Sequence, residues 1–188
     1  MEIVICKTKE EASKLAADMI TAAVKKNPKT ILGLATGSTP VPMYTEMAKA
    51  VKEKKVSYKF VKSWNLDEYV GLPGTSLSSR TGVVYLTPST IKDNARLFFK
   101  GKESEVPTRA LSMGVGTICE AKKIIMLAFG KNKADAVKGM VEGGMSQFCT
   151  ASALQAHNDA WIFCDEESAS KLKLRDYYAW RSATKLGL

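Results

Sequence analysis

Ile31-Leu32-Gly33-Leu34-Ala35-Thr36-Gly37-Ser38-Thr39-Pro40 decides how the rest of this chain is read. Five mostly apolar residues read as a buried strand. They run into a loop of small and hydroxyl residues, and Pro40 sits where a helix can start, because proline is tolerated in the first turn. Beyond it, Met43, Met47, Ala50 and Val51 recur at helical spacing. Strand, Gly/Ser/Thr loop and helix N-terminus together form a place where backbone N–H groups and the positive end of a helix dipole converge on an anion. Thr36, Gly37, Ser38 and Thr39 are the candidate phosphate contacts. The loop matches neither the Walker A nor the G-x-G-x-x-G pattern. The plain alternative is a tight strand-to-helix turn with no ligand.

Outward from this stretch, strands and helices alternate. Glu2 to Cys6 reads as a strand, Lys9 to Lys26 as an amphipathic helix ended by Asn27-Pro28, and 30–35 as the strand just quoted. A helix over about 40–54 follows, then a strand centred on 60–64 and another at 83–86. Thr87-Pro88-Ser89 opens a helix to about Phe99. Strands are expected at 110–113, 124–129 and 160–164, with helices at 115–121, 132–142, 151–156 and 166–184. Of the later strands, the six-residue apolar run Ile124 to Phe129 is the best buried candidate. Alternating strands and helices imply a doubly wound, mostly parallel Rossmann-like sheet with helices on both faces. At 188 residues, one domain over 1–188 is expected. Ligands of such sheets sit beyond the carboxyl ends of the strands. That rule places the 36–40 loop, Asp67-Glu68 and the 130–133 loop on one rim.

The bulk numbers narrow the partners. Net charge is +9, but the lysines are scattered and no arginine-rich or aromatic-interleaved stripe occurs, so no nucleic acid is expected. The four cysteines (Cys6, Cys119, Cys149 and Cys164) form no CxxC pair and no metal-ligand spacing; Cys6 and Cys164 read as buried free thiols. The opening Met-Glu-Ile-Val-Ile-Cys-Lys has no signal-peptide pattern and no apolar run reaches membrane-spanning length. A cytoplasmic soluble protein is expected, with no metal and no membrane partner.

On the rim, Lys131 and Lys133 stand at a helix start, where cations oppose the dipole by a few tenths of a kcal/mol, roughly, unless an anion lies between. The alternative is that both point into water. Arg96 late in its helix is favourable for the dipole and suits bidentate phosphate contact. Asp67-Glu68 directly follows a strand. The pair is placed either for proton transfer or, more plainly, to cap a turn and face solvent. The connection from there to 83–86 holds Gly, Pro, Ser and Thr throughout and no helical period, which is unusual for a parallel crossover.

These residues resemble the glucosamine-6-phosphate deaminase family over nearly the whole chain. The resemblance is carried by Leu32 to Pro40, Asn65-Leu66-Asp67-Glu68-Tyr69-Val70-Gly71-Leu72, Thr75 to Thr81, Asn94 to Phe99, Ala110 to Ile118, Gly130 to Ala134 and Ala151 to His157, all in order. Related lactonases share the loop but not this set. The chain departs from the family between Leu72 and Gly74. There the family carries helices, a central strand and a G-x-G-x-x-G-H-I-x-F-N-E-P motif, whose histidine opens the sugar ring. Here Val70-Gly71-Leu72 joins Pro73-Gly74-Thr75 directly, and the unusual connection reads as the scar of an excision.

The resemblance implies a substrate phosphate held by Thr36 to Thr39, Arg96 and Lys133. It makes Asp67 the base that moves a proton between C1 and C2 of glucosamine 6-phosphate. Loss of ammonia then leaves fructose 6-phosphate, with no cofactor. A positioned acid or base is worth roughly 10²- to 10⁴-fold in rate, so loss of the histidine motif implies weak or lost activity. The alternative is a catalytically inactive sugar-phosphate or carbohydrate binder on the same scaffold. The resemblance also implies a homo-oligomer. The excision implies a swapped or rearranged one, because exposed sheet edges must find partners.

Overall fold

The computed structural model describes residues 1–66 and 76–187. In chain order the elements are β1 (Glu2–Cys6), α1 (Lys9–Lys26), β2 (Ile31–Ala35), α2 (Val41–Lys52), β3 (Lys62–Leu66), β4 (Gly82–Tyr85), α3 (Pro88–Phe98), β5 (Arg109–Ser112), α4 (Val115–Cys119), β6 (Ile124–Ala128), α5 (Ala134–Glu142), β7 (Ala160–Asp165) and α6 (Arg175–Leu186). Short 3₁₀ turns stand at Glu103–Glu105, Lys131–Lys133 and Thr150–Ala156. The alternating α/β order expected from the sequence is present.

The sheet is in three pieces among the described residues. A parallel sheet runs in the order β1-β7-β6, β2 pairs β3 in parallel, and β4 pairs β5 antiparallel. β7 is the central strand of the first piece. Its Ile162 and Cys164 join one core with Ile3, Val137 and Met140, while Phe163 points into the other with Val4, Ala16 and Met47. α5 therefore covers one face and α1 the other, the doubly wound arrangement. The expectation that 124–129 is the best buried candidate among the later strands is corrected. β6 is an edge strand of intermediate burial, and β7 is buried along almost its whole length. Both runs are equally apolar, and only their place in the strand order separates them.

α1 shows why local sequence predicts its helix well. Thr8 Oγ1 accepts the Glu11 N–H at 3.1 Å and the Glu11 carboxylate accepts the Lys7 N–H at 3.0 Å, satisfying donors at the helix start. Ala12, Ser13, Ala16, Ala17, Thr21 and Val24 form its buried face. α6 departs from expectation, beginning at Arg175 rather than near 166. The segment before it is a series of turns. The Asp165 carbonyl accepts the Ala169 N–H, and the Glu142 carboxylate takes the N–H groups of Lys173 and Leu174 at 2.8 to 2.9 Å. Those donors are engaged by another element, so the helix starts after them.

The two small sheets each show an apolar face. The expectation that 31–35 is a buried strand is corrected: in the β2–β3 pair Leu32 packs on the α1/α2 core, while on the opposite face Ile31 and Trp64 are 65% and 67% exposed. In the β4–β5 pair, Val83 lies opposite Leu111 with Tyr85 beside them, all more than 60% exposed. The two parallel pieces do not pair with each other among the described residues. Cys6 and Cys164 are buried free thiols, and burial pushes them up to about 11 and about 12. No described helix is long and apolar enough to cross a membrane.

Candidate phosphate-binding rim

β2 and β3 run in parallel register with Ala35 opposite Leu66, so the Thr36 to Thr39 loop leaves the end of the sheet at which β3 also ends. This part of the sequence-based rim is present up to Leu66. Asp67 and Glu68 lie outside the described residues, as does the proposed junction at 72–74.

The loop itself is open and precedes a helix N-terminus. Thr36, Gly37, Ser38 and Thr39 are all exposed. Gly37 has φ +84°, a left-handed conformation that glycine adopts without strain. Helix α2 begins after Pro40 with no side-chain cap and no acidic residue in its first turn. Its positive end is therefore not neutralised from within the helix, and an anion there would be favoured. The start of the loop is braced from α2 itself, where Tyr44 donates its hydroxyl hydrogen to the Ala35 carbonyl at 2.7 Å. Sequence reading missed Tyr44, because a tyrosine at helical spacing reads as core.

Lys133 closes the Lys131–Lys133 turn at the head of α5, beyond the C-terminal end of β6. Both lysines are exposed. This turn belongs to the β1-β7-β6 sheet, not to the β2–β3 pair. The two pieces meet through the shared core, where Leu32 of β2 and Ile125 and Leu127 of β6 pack against the α1/α2 cluster. Gly130 opens the turn at φ +83°, and its N–H donates to both carboxylate oxygens of Asp165 at 3.1 and 2.9 Å. Asp165 is a second residue the sequence reading passed over. The usable signal was its place: like Asp67, it is an acid at the carboxyl end of a strand.

Arg96 stands apart from both loops. It is exposed on α3, which packs on the Glu103–Glu105 turn, and its ion-pair partner is Asp93 on its own helix at 3.5 Å. With Lys92, Asp93, Gly101 and Glu103 it borders a shallow depression of about 340 Å³. The structure brings no described contact between Arg96 and either Thr36–Thr39 or Lys133.

A larger depression of about 500 Å³ lies elsewhere, lined in part by Cys119, Lys122, Met145 and His157. His157 is the chain's single histidine. Its Nε2 sits 2.7 Å from the Ala121 carbonyl oxygen, and its Nδ1 accepts the Asp159 N–H at 3.1 Å. Both ring nitrogens are thus engaged with backbone, with the proton on Nε2. This histidine ties two loops together and is not poised for acid–base work.

Fold and loop together define a doubly wound α/β protein with an exposed glycine- and hydroxyl-bearing loop at a strand-to-helix junction. No family model matches the chain. Whole-sequence comparison is decisive instead. The glucosamine-6-phosphate deaminase of Shewanella loihica is 34% identical over 249 residues, covering 95% of this chain and 92% of the relative. That of Bifidobacterium longum subsp. infantis is 32% identical, covering 95% of each. The solved structure of a monomeric glucosamine-6-phosphate deaminase of the NagB superfamily matches at TM-score 0.82 and 30% identity, over 90% of this chain and 99% of that one. The chain belongs to the glucosamine-6-phosphate deaminase family. A 6-phosphogluconolactonase from Trypanosoma brucei, at 14% identity and TM-score 0.63 over 91% of this chain and 98% of its own, shares the fold.

Proposed function

We propose that this chain binds a phosphorylated amino sugar at the Thr36–Thr39 loop and converts glucosamine 6-phosphate and water to fructose 6-phosphate and ammonia weakly or not at all. The carrying observation is the exposed, uncapped loop at the head of α2 in a chain whose relatives, matched over 95% of its length, are named for that reaction. Arg96 and Lys133 are the further phosphate contacts by resemblance, and Asp67 the base. No cofactor is invoked, because proton transfer between neighbouring carbons needs only a placed carboxylate and a polarised carbonyl.

Two observations support the reduced-turnover half. The alignment to the Shewanella loihica enzyme spans 249 positions, whereas 95% of 188 residues is about 179, so some seventy positions have no counterpart here. This supports an excision near 72–74 within one domain over 1–188. The chain's single histidine has both ring nitrogens engaged with the backbone of Ala121 and Asp159, which supports no ring-opening role for it. Sugar phosphates open spontaneously to some extent, which leaves a route for residual turnover on the open form. A pure sugar-phosphate binder is the second reading, favoured by the same two observations. The apolar faces at Ile31–Trp64 and Val83–Leu111 support a homo-oligomer in which copies cover them, swapped or rearranged relative to an uninterrupted sheet. The scattered lysines support no nucleic-acid role.

The test is ammonium release from glucosamine 6-phosphate by the purified chain beside its Asp67→Asn variant. Release that disappears in the variant establishes residual deamination through Asp67. Equal release from both removes Asp67 as the base. No release, together with calorimetric binding of the sugar phosphate, establishes the binder, and absence of both overturns the proposal.

A further inference from the structure

The C-terminal end of β7 holds a buried polar network that the reaction scheme above does not use. Asp165 is 9% exposed, and its carboxylate accepts three contacts from two N–H donors: Gly130, shared between both oxygens, and Ser168 at 2.8 Å. Ser168 is fully buried, and its hydroxyl donates to the Ala128 carbonyl at 2.7 Å, tying the last residue of β6 to the turn after β7. The peptide of Gly130 is therefore gripped on both sides. Its N–H is held by Asp165, and its carbonyl accepts the Lys133 N–H at 3.0 Å. At φ +83° and ψ +156° Gly130 is in a conformation nearly confined to glycine, and a Cβ there would meet Asn132 Oδ1 at 3.3 Å.

We infer that Asp165 is a positioning residue for the phosphate-binding lysine: by fixing the Gly130 peptide it sets the direction in which the main chain presents Lys133 to the rim. The inference rests on Lys133 acting as a phosphate contact, as proposed above. The physical case is one of preorganisation. Lys133 is a long, exposed side chain, and its ammonium is useful only where the backbone aims it. A carboxylate that accepts bonds from two backbone donors holds that backbone more firmly than neutral partners would. It does so from the middle strand of the β1-β7-β6 sheet, which is buried along almost its whole length. The anion site thus has a chain of support running β7, Asp165, Gly130, Lys133.

The Asp165→Asn side chain keeps one acceptor oxygen but sets an amide donor where the other oxygen accepted the Gly130 N–H, so the Gly130 peptide loses part of its grip. Calorimetric titration with glucosamine 6-phosphate, in the Asp67→Asn background to prevent turnover, provides the test. It compares Asp165→Asn, Lys133→Ala and the double variant. The expected result is a roughly tenfold weaker affinity for each single change, the scale of one charge-assisted hydrogen bond. The double variant should be no weaker than Lys133→Ala alone, because the aspartate acts through the lysine. A merely structural aspartate would weaken binding by the same factor with or without Lys133, and that result overturns the inference. Unaltered affinity in Asp165→Asn beside a loss in Lys133→Ala overturns the inference alone. Unaltered affinity in Lys133→Ala, or no binding by the Asp67→Asn parent, overturns the phosphate role and the inference with it. Should Asp165→Asn fail to fold, Gly130→Ala strains the same turn from an exposed loop and must show the same dependence on Lys133; additive loss there is equally fatal.

Discussion

Glu2→Gln tests how the two ends of the chain are held together. Glu2 lies on β1 with its side chain 9% exposed, and its Oε1 accepts Arg181 Nη2 at 2.8 Å and Lys185 Nζ at 2.5 Å, both from α6. Its Oε2 is buried and has no partner among the described residues. Breaking a fully buried pair costs about 3–5 kcal/mol, and an exposed pair about 0–1. Arg181 and Lys185 are 42% and 49% exposed, so both rehydrate when the carboxylate is neutralised. The expected loss therefore falls between the limits, about 1–2 kcal/mol, or about 2–8 °C in Tm for a domain of this size. The pH dependence follows from the carboxyl group. Burial alone would raise its pKa, but hydrogen bonds from Lys185 and then Arg181 outweigh that and hold it below the usual carboxylate range. A lowered folded-state pKa means that the stabilisation is fully present above the unfolded value, about 4.3, and is lost as pH falls through the folded one. Urea unfolding followed by tryptophan fluorescence should thus show a constant gap between parent and variant from pH 7 to pH 5.5, closing below pH 4. No gap at pH 7, or one that persists undiminished in acid, refutes the reasoning.

The other expectations concern the core, the rim and the open faces. Phe163→Ala, at a fully buried position on the central strand, should cost about 3–5 kcal/mol in the same unfolding assay; less than about 2 would mean that the α1 face collapses onto the gap. Arg96→Ala should weaken glucosamine 6-phosphate binding by calorimetry, and an unaltered affinity would leave Arg96 as the surface partner of Asp93 alone. His157→Ala should lower thermal stability yet leave any ammonium release unaltered, since both ring nitrogens are engaged with backbone; a loss of release with the fold intact would give the histidine a catalytic part. Trp64→Lys should shift sedimentation velocity toward a smaller species if the β2–β3 face is covered by another copy, and an unshifted profile counts against that interface.

The sequence by itself carried the element order, the loop and its helix, and the family, because each is written locally. Apolar runs mark strands, a proline and hydroxyl residues mark the start of α3, and the motif around Thr36 to Thr39 is contiguous. It also carried the expectation of a shortened connection after Leu72, since a crossover without helical period is visible in composition alone. What it did not carry depends on which distant segments meet. Ile124 to Phe129 and Ala160 to Cys164 are equally apolar, and only strand order makes the second one central and the first an edge. The late start of α6 follows from a carboxylate on α5, about thirty residues away. Asp165 looked like the polar end of a strand until its oxygens met the Gly130 N–H, 35 residues distant. Hydrogen bonds between segments far apart in the chain leave no periodic trace in sequence, so tertiary structure alone decided them.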